Sequence, residues 1–355
     1  MPASKNANLT LKPGKKSAEP NYVLVIHGGA GTMIREGSTP EQRATGGEAM
    51  DAAVEAVSVM EDCPLFNSGH GAVFNVAGKN ELETSLMVSK PPASHPAMPS
   101  SRRGSSLAPH PMLSGAAAEA TGASLGVRQA DPSYFWTEAR WREHRRGLGL
   151  PEDPVEYPRP EIPDDTNSET TDVASLSDDK DKETWEPLDL MPTGTVGAVA
   201  LDIRGCIAAV TSTGGRTNKL VGRVGDTPVM GCGFWAEEWE RDGGLVKRTW
   251  DRLRGKSKYQ GVGVSGTGDG DYYIRRAAAS NIARRMQYLG ESLGEASQNV
   301  IDDLFKEGGI GGVIALDRDG NVALPLNCSG MYRGVIRPDG VPLTAIFFDE
   351  QLTEL

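Results

Sequence analysis

Hydrophobic and polar positions divide the chain into two patterned stretches separated by a long polar interval. In the first stretch, Tyr22–Ile26 is a short apolar run that ends in the turn His27-Gly28-Gly29-Ala30-Gly31, and it predicts a buried strand. Across 41–60, Met50, Ala53, Val54, Val57 and Met60 recur at helical spacing and predict an amphipathic helix with those residues in the core. Pro64 stops it, Asn67-Ser68-Gly69-His70-Gly71 reads as a compact glycine loop, and Ala72–Phe74 with Leu82–Met87 read as a strand pair. Pro91–Pro111 is loop-like, Ala116–Leu125 is a weak helix, and Tyr134–Arg146 is a charged, aromatic helix.

The pattern then stops: 149–192 is acidic, rich in Ser, Thr and Pro, and aperiodic, as expected of a disordered linker. It resumes at Thr195. Thr195–Leu201 and Cys206–Thr211 flank Asp202-Ile203-Arg204-Gly205 as a hairpin. Tyr273–Leu289 is a helix with Ile274, Ala277, Ala278, Ile282 and Met286 on one face, stopped by Gly290, and Ser292–Lys306 is another. Val313–Leu316 and Val322–Leu326, then Tyr332–Ile336 and Leu343–Phe348, form two further hairpins. These elements predict an α+β fold of helix-covered, mainly antiparallel sheets. They divide the chain into a disordered tail at 1–20, a first half at 21–148, a linker at 149–194 and a second half at 195–355.

Composition narrows the function. The chain has 355 residues, 38% of them hydrophobic, and a net charge of −11 without a basic stripe, which argues against nucleic-acid binding. Its four cysteines (Cys63, Cys206, Cys232 and Cys328) show no CxxC or Cys/His spacing, so buried free thiols are expected rather than zinc. Met1–Pro20 is polar and lysine-bearing, unlike a secretory signal, and no apolar run approaches the ~20 residues of a membrane span. A cytoplasmic location without membrane contact is therefore expected.

The chemistry concentrates at Gly194-Thr195-Val196-Gly197, where the acidic linker meets an apolar run. Cutting the Gly194–Thr195 bond would give Thr195 both a hydroxyl nucleophile and an α-amine of pKa roughly 7.7–8.0 to take its proton. Glycine before it suits a strained bond and a close backbone approach. Alone, these four residues fit an ordinary strand entry better. The histidines change that balance. No histidine follows His144, so a base in the second half must be something else. The rival is a serine esterase, with His27–Gly31 as oxyanion loop and Gly122-Ala123-Ser124-Leu125-Gly126 as nucleophile elbow. It fails because His144 lies too close in an Arg-rich stretch and no strand–turn–helix frames Ser124.

Four further features surround a threonine nucleophile. Thr213, in Thr211-Ser212-Thr213-Gly214-Gly215, ends the hairpin beside Thr195 and could orient it; a hydroxyl-rich turn explains it equally well. Arg223 and Asp226 sit three positions apart in a glycine loop, suited to the carboxylate and ammonium of an amino acid, or else a surface ion pair. Thr267-Gly268-Asp269-Gly270-Asp271 reads as a turn opening a helix, with free N–H groups for an oxyanion; no Walker lysine or dinucleotide fingerprint supports a phosphate. Asn67 could hydrogen-bond into the site.

In order, VIHGGAGT (25–32), CPLFNSGHGAVFN (63–75), GTVGAVALD (194–202), AAVTSTGG (208–215), NKLVGRVGDTPVMGCG (218–233), SGTGDGD (265–271) and SGMYRG (329–334) resemble the plant-type L-asparaginase/isoaspartyl peptidase family of N-terminal-nucleophile hydrolases. The resemblance covers most of 21–88 and 194–348. It implies a four-layer αββα sandwich, self-cleavage between Gly194 and Thr195, and self-association as a dimer of cleaved heterodimers. It implies Thr195 as nucleophile, Thr213 as its partner, Thr267 and Gly268 as oxyanion hole, Arg223 for the substrate carboxylate, Asp226 and Gly270 for its ammonium, and Asn67 lining the site. The implied substrates are L-asparagine and β-aspartyl peptides. No catalytic cofactor is implied, only a structural sodium held by main-chain carbonyls of Met60, Glu61, Cys63, Phe66, Ser68 and His70. A taspase-like threonine endopeptidase, a glycosylasparaginase and a silent, uncut homologue are the alternatives. The chain departs from the family pattern at Met87-Val88-Ser89-Lys90, which stands for Met-Asp-Gly. It departs again between Arg103 and Gly115, where a helix is expected to be lost, in the acidic linker, and in an extra segment at Arg241–Tyr259.

Overall fold

A computed structural model describes residues 10–11, 22–28, 48–91, 111–152, 194–241 and 257–354. Most of the expected N-terminal tail, residues 29–31 of the first glycine turn, 41–47 of the expected 41–60 helix, 92–110 of the Pro91–Pro111 loop, 153–193 of the acidic linker and 242–256 of the Arg241–Tyr259 segment lie outside these residues. The protein is a mixed helix-and-sheet structure with antiparallel sheets, as the patterning predicts.

Among the described residues, twelve strands form two sheets. They are β1 (Thr10–Leu11), β2 (Val23–Gly28), β3 (Glu83–Val88), β4 (Val196–Leu201), β5 (Ile207–Thr213), β6 (Phe234–Glu240), β7 (Tyr259–Gly268), β8 (Gly311–Asp317), β9 (Val322–Ala323), β10 (Gly330–Ile336), β11 (Leu343–Phe347) and β12 (Thr353–Glu354). One sheet has five strands in the order β1-β9-β8-β7-β6, the other seven in the order β12-β11-β10-β2-β4-β5-β3. The strand at Thr10–Leu11 corrects the expectation of a wholly disordered tail: its backbone pairs with Val322 and Ala323.

Strands β4, β5 and β8 are buried along their whole length, which explains their continuous apolar sequences. Alternate side chains serve different contacts. Val196, Ala198 and Ala200 of β4 join Ala208 and Val210 of β5 beneath helix α1 (Ala49–Glu61), against its Ala53, Val57 and Met60. Val199, Leu201, Ile207 and Ala209 face Ile314, Leu316 and Leu324 of the other sheet. After α2 (Gly115–Ser124), α3 (Glu138–Gly147) and α4 (Gly270–Arg276), helices α5 (Ala278–Arg284) and α6 (Leu293–Lys306) pack Ile282, Val300, Ile301 and Leu304 on Val262, Val264, Val313 and Ala315. A capping box at Ser292 and Glu295 starts α6.

Three expectations are corrected. Ala72–Phe74 is not a strand: its Ala72 and Val73 carbonyls accept the Asn80 amide and the Val73 N–H donates to Asn67 Oδ1, so side chains take the ladder's place. Strand β3 pairs with β5 instead. The helix expected over 273–289 breaks at Ala277 (φ 46°), because the Ala279 and Ser280 N–H groups donate to the carbonyls of Cys232 and Gly231. Tyr134–Arg146 divides into a short 3-10 turn at Pro132–Phe135 and α3, which begins at the Thr137 cap.

Candidate active site

The site forms where β4, β5 and β7 begin or end together. The hairpin turn at Asp202 closes β4 and β5 (Gly205 N to Asp202 O, 2.8 Å) and sets Val196 opposite Ser212. Thr195 thus lies beside Thr213, and its hydroxyl donates to Thr213 Oγ1 at 3.2 Å. Thr213 donates on to the Asn67 carbonyl (3.3 Å) and accepts from the Gly215 N–H (3.0 Å). Asn67 is braced by its Nδ2, which donates to the Gly215 carbonyl at 2.7 Å. The glycine loop, the hairpin end and the nucleophile candidate are therefore one hydrogen-bonded unit.

Thr267 and Gly268 end β7 rather than opening a helix, which corrects the turn assigned from sequence. The nest expected from free N–H groups is smaller too, since the Asp269 N–H is spent on the Ile310 carbonyl at 2.7 Å. Gly268 has φ 141°, and a side chain there would overlap the Ile310 carbonyl. Thr267 Oγ1 lies 2.7 Å from where a Cβ of Gly194 would stand, so the Thr267 hydroxyl sits directly against the residue before Thr195. Gly194 is outside the left-handed region; close approach, not strain at that φ, requires glycine.

Arg223 and Asp226 are brought to the same end. Arg223 Nη2 donates to Asp271 Oδ1 at 3.1 Å. Asp226 is 9% exposed, its carboxylate enclosed by the backbones of Gly233 and Gly270 so closely that a methyl on Gly270 would overlap Oδ1. Burial pushes the Asp226 pKa up to about 6; Glu83 and Asp271 add to this and Arg223 opposes it. Glu83, which the sequence reading passed over, sits opposite Thr213 on β3 and accepts the Gly225 N–H at 2.8 Å, tying the Arg223–Asp226 loop to the sheet.

The turn after α1 packs main-chain oxygens against its glycines. The Glu61 and Phe66 carbonyls face Gly69 and Gly71 so closely that side chains there would overlap them. The Met60 and Cys63 carbonyls accept the Cys63 and Phe66 N–H groups at 3.2 Å, leaving a second lone pair on each oxygen. Ser68 and His70 are held in the same turn, by Ser212 Oγ (2.7 Å) and the Tyr134 carbonyl (2.5 Å). Uncharged main-chain carbonyls can replace the hydration shell of a monovalent cation. No cluster of three His, Cys, Asp or Glu side chains able to hold a metal occurs among the described residues.

The serine-esterase rival finds no support. Ser124 is exposed at the end of α2 and bonds the Thr121 carbonyl, whereas His144 packs on Phe74 and Trp141 and bonds Asn218. All four cysteines are free. Among the described residues, no helix is long and apolar enough to cross a membrane.

An antiparallel α+β fold with a threonine at the head of a buried strand defines the structural class. The family model described as asparaginase matches residues 20–94, 101–240 and 257–346. The chain is 34% identical to an isoaspartyl peptidase of Salmonella typhimurium, over 92% of this chain and 98% of that protein. It is also 34% identical to an isoaspartyl peptidase of Escherichia coli (92% and 96%), and 30% identical to the isoaspartyl peptidase/L-asparaginase of Mus musculus (87% and 86%). The chain belongs to the asparaginase family.

Proposed function

We propose that this protein is a self-cleaving threonine amidohydrolase that converts L-asparagine or β-aspartyl peptides to aspartate. The observation that carries the reading is the chain Thr195–Thr213–Asn67, with the Thr267 hydroxyl against Gly194. Hydrolysis of the Gly194–Thr195 bond frees the Thr195 α-amine, which takes the hydroxyl proton as Oγ1 attacks the substrate's side-chain carbonyl. Thr267 and Gly268 stabilise the tetrahedral oxyanion. The amine passes its proton to the departing ammonia or amino component, leaving a β-aspartyl ester on Thr195. Water, deprotonated by the same amine, then cleaves the ester. Arg223 grips the substrate carboxylate, and Asp226 beside Gly270 grips its ammonium. Enclosed Asp226 supports a free amino acid end over the internal residue that a taspase-like endopeptidase takes.

The same reading extends to architecture and setting. The two sheets and the helices over their outer faces are read as a four-layer αββα sandwich, split at Thr195 into two subunits that pair again as a dimer of heterodimers in the cytoplasm. Sodium on the Met60–His70 carbonyls is read as structural, and no cofactor takes part in catalysis.

Denaturing electrophoresis and N-terminal sequencing of the purified protein test the proposal, together with ammonia release from asparagine and hydrolysis of a β-aspartyl dipeptide. Two fragments, the smaller starting at Thr195, and a single inactive chain for Thr195→Ala are expected. An intact wild-type chain that turns over substrate would refute it.

A further inference from the structure

We infer that Ser265, Thr211 and His27 form a positioning pin that holds the three threonine-bearing strands in register beneath the nucleophile. The inference rests on the roles proposed above for Thr195, Thr213 and Thr267.

Side chains two apart on a strand share a face. Two residues from Thr195, Thr213 and Thr267 along their own strands lie Gly197, Thr211 and Ser265. Those positions meet at one point. Ser265 Oγ lies 2.7 Å from Thr211 Oγ1 and 2.7 Å from His27 Nε2. All three side chains are fully buried. His27 faces Gly197 across the β2–β4 ladder, and a side chain on Gly197 would overlap both Ser265 Oγ and His27 Nε2. Ser265 belongs to the five-stranded sheet and the other members to the seven-stranded sheet, so the hydrogen bonds cross between sheets.

A satisfied polar cluster in a core can be purely structural, and the surroundings help decide. Neighbouring inter-sheet positions are apolar, Val199, Ile207, Ile314 and Leu316 among them. Hydroxyls and an imidazole give less burial energy there than Val or Leu and add directional constraints. Burial lowers the His27 pKa to about 4, partly offset by the Thr195 backbone, so the ring is neutral in the working range and contributes geometry rather than charge. Apolar packing fixes spacing between sheets but lets them slide. Two short hydrogen bonds at Ser265 stop β7 sliding over β5 and β2, and that sliding would carry Thr267 away from Thr195.

The test is Thr211→Val, which keeps shape and removes the hydroxyl, with Thr211→Ser restoring it and Ser265→Ala as a second variant. Steady-state kinetics on fully cleaved protein are read beside thermal melts. Misplacing an acyl-transfer group by a fraction of an ångström should lower kcat about 10- to 100-fold with KM within about twofold, because neither Arg223 nor Asp226 belongs to the Ser265–Thr211–His27 cluster. Thr211→Ser should recover most of the loss. A kcat within about twofold of wild type in both hydroxyl-free variants, or a loss that Thr211→Ser does not recover, overturns the pin. Wild-type inactivity on both substrates counts instead against the proposed function. Amide exchange over 194–200 and 262–268 then decides: faster exchange in Thr211→Val supports the pin, and unchanged exchange overturns it.

Discussion

Asp226 offers a test in which stability and activity move in opposite directions. Its carboxyl is enclosed between Gly233 and Gly270 and titrates at about 6 instead of 3.8. One pKa unit is worth about 1.36 kcal/mol, so keeping this group ionised at neutral pH costs the folded chain about 3 kcal/mol. The sign follows from the direction of the shift. The folded state prefers the protonated acid, so the cost is absent below the unfolded pKa near 4, grows between 4 and 6, and is complete above 6. Asp226→Asn replaces the carboxylate with a neutral group of equal size. At pH 8 it should raise Tm by roughly 5 °C, and the gain should shrink as pH falls towards 4.

The same substitution removes the group proposed to hold the substrate ammonium. Losing a charge-assisted hydrogen bond should lower kcat/KM for asparagine about 10- to 150-fold. The α-amine that the proposed cleavage frees on Thr195 would also titrate near neutrality, so the wild-type pH profile alone would mix two groups. Taking the difference between wild type and Asp226→Asn across pH 4–8, in both melts and kinetics, isolates Asp226. Capping the substrate amine should reproduce the kinetic loss without adding to it. A less stable Asn variant at pH 8, or a Tm gap independent of pH, would refute the reasoning about burial. Equal turnover of N-acylated and free substrates would refute the ammonium role and bring the endopeptidase alternative forward.

Arg223→Lys keeps the charge but loses the planar fork, and should lower kcat/KM about 10- to 150-fold by steady-state kinetics while cleavage at Thr195 continues. Gly270→Ala puts a methyl against Asp226 Oδ1, so it should raise KM and cut kcat/KM about 100-fold, and the overpacking should cost about 1–3 kcal/mol in the melt. Activity should survive EDTA. Exchanging sodium for caesium should lower Tm, by about 1.4 kcal/mol of stability for each tenfold excess of sodium over its dissociation constant, and a cation-independent Tm would exclude a site at Met60–His70.

Much of this fold is written in periodicity. Helix α6, the β4–β5 hairpin and strands β8, β10 and β11 follow their apolar patterns to within a few residues, whereas α1 ends where expected but begins only at Ala49, after the Glu48 cap. The strands that escaped are informative. Strand β7 contains Gly-Val-Gly-Val-Ser-Gly-Thr-Gly, a sequence of low strand propensity. Its glycines answer to neighbours far along the chain: Gly263 must admit Val199 and Ile207, and Gly266 must admit Tyr273. No local pattern encodes such contacts. Placing Thr267 in a turn followed from that blindness. The break at Ala277 was illegible for the same reason, because the carbonyls that interrupt the helix belong to Gly231 and Cys232.

The candidate site was legible as a set of residues and illegible as a construction. Thr195, Thr213, Arg223, Asp226 and Thr267 could be picked out by residue type and motif order, but what supports them could not. Glu83 reads as one acid in a polar strand, yet it anchors the Gly225 N–H and presses on the Asp226 pKa. His27 reads as part of a glycine turn, yet its ring points into the core towards Ser265. In both cases the signal lies in tertiary neighbours: β3 beside β5 brings Glu83 to the Arg223–Asp226 loop, and the packing of the two sheets brings His27 to Ser265. The strand order β2-β4-β5 explains how the proposed nucleophile can head a buried strand. Strand β4 is flanked on both sides, so Thr195 inherits fixed neighbours at Thr213 and His27, with the Asn67 loop bracing Thr213. The proposed catalytic geometry is then as stiff as the sheet itself. Substitutions that loosen the β4–β5–β7 contact should therefore cost rate well before they cost folding, which is the ordering that the Thr211→Val kinetics and melts measure together.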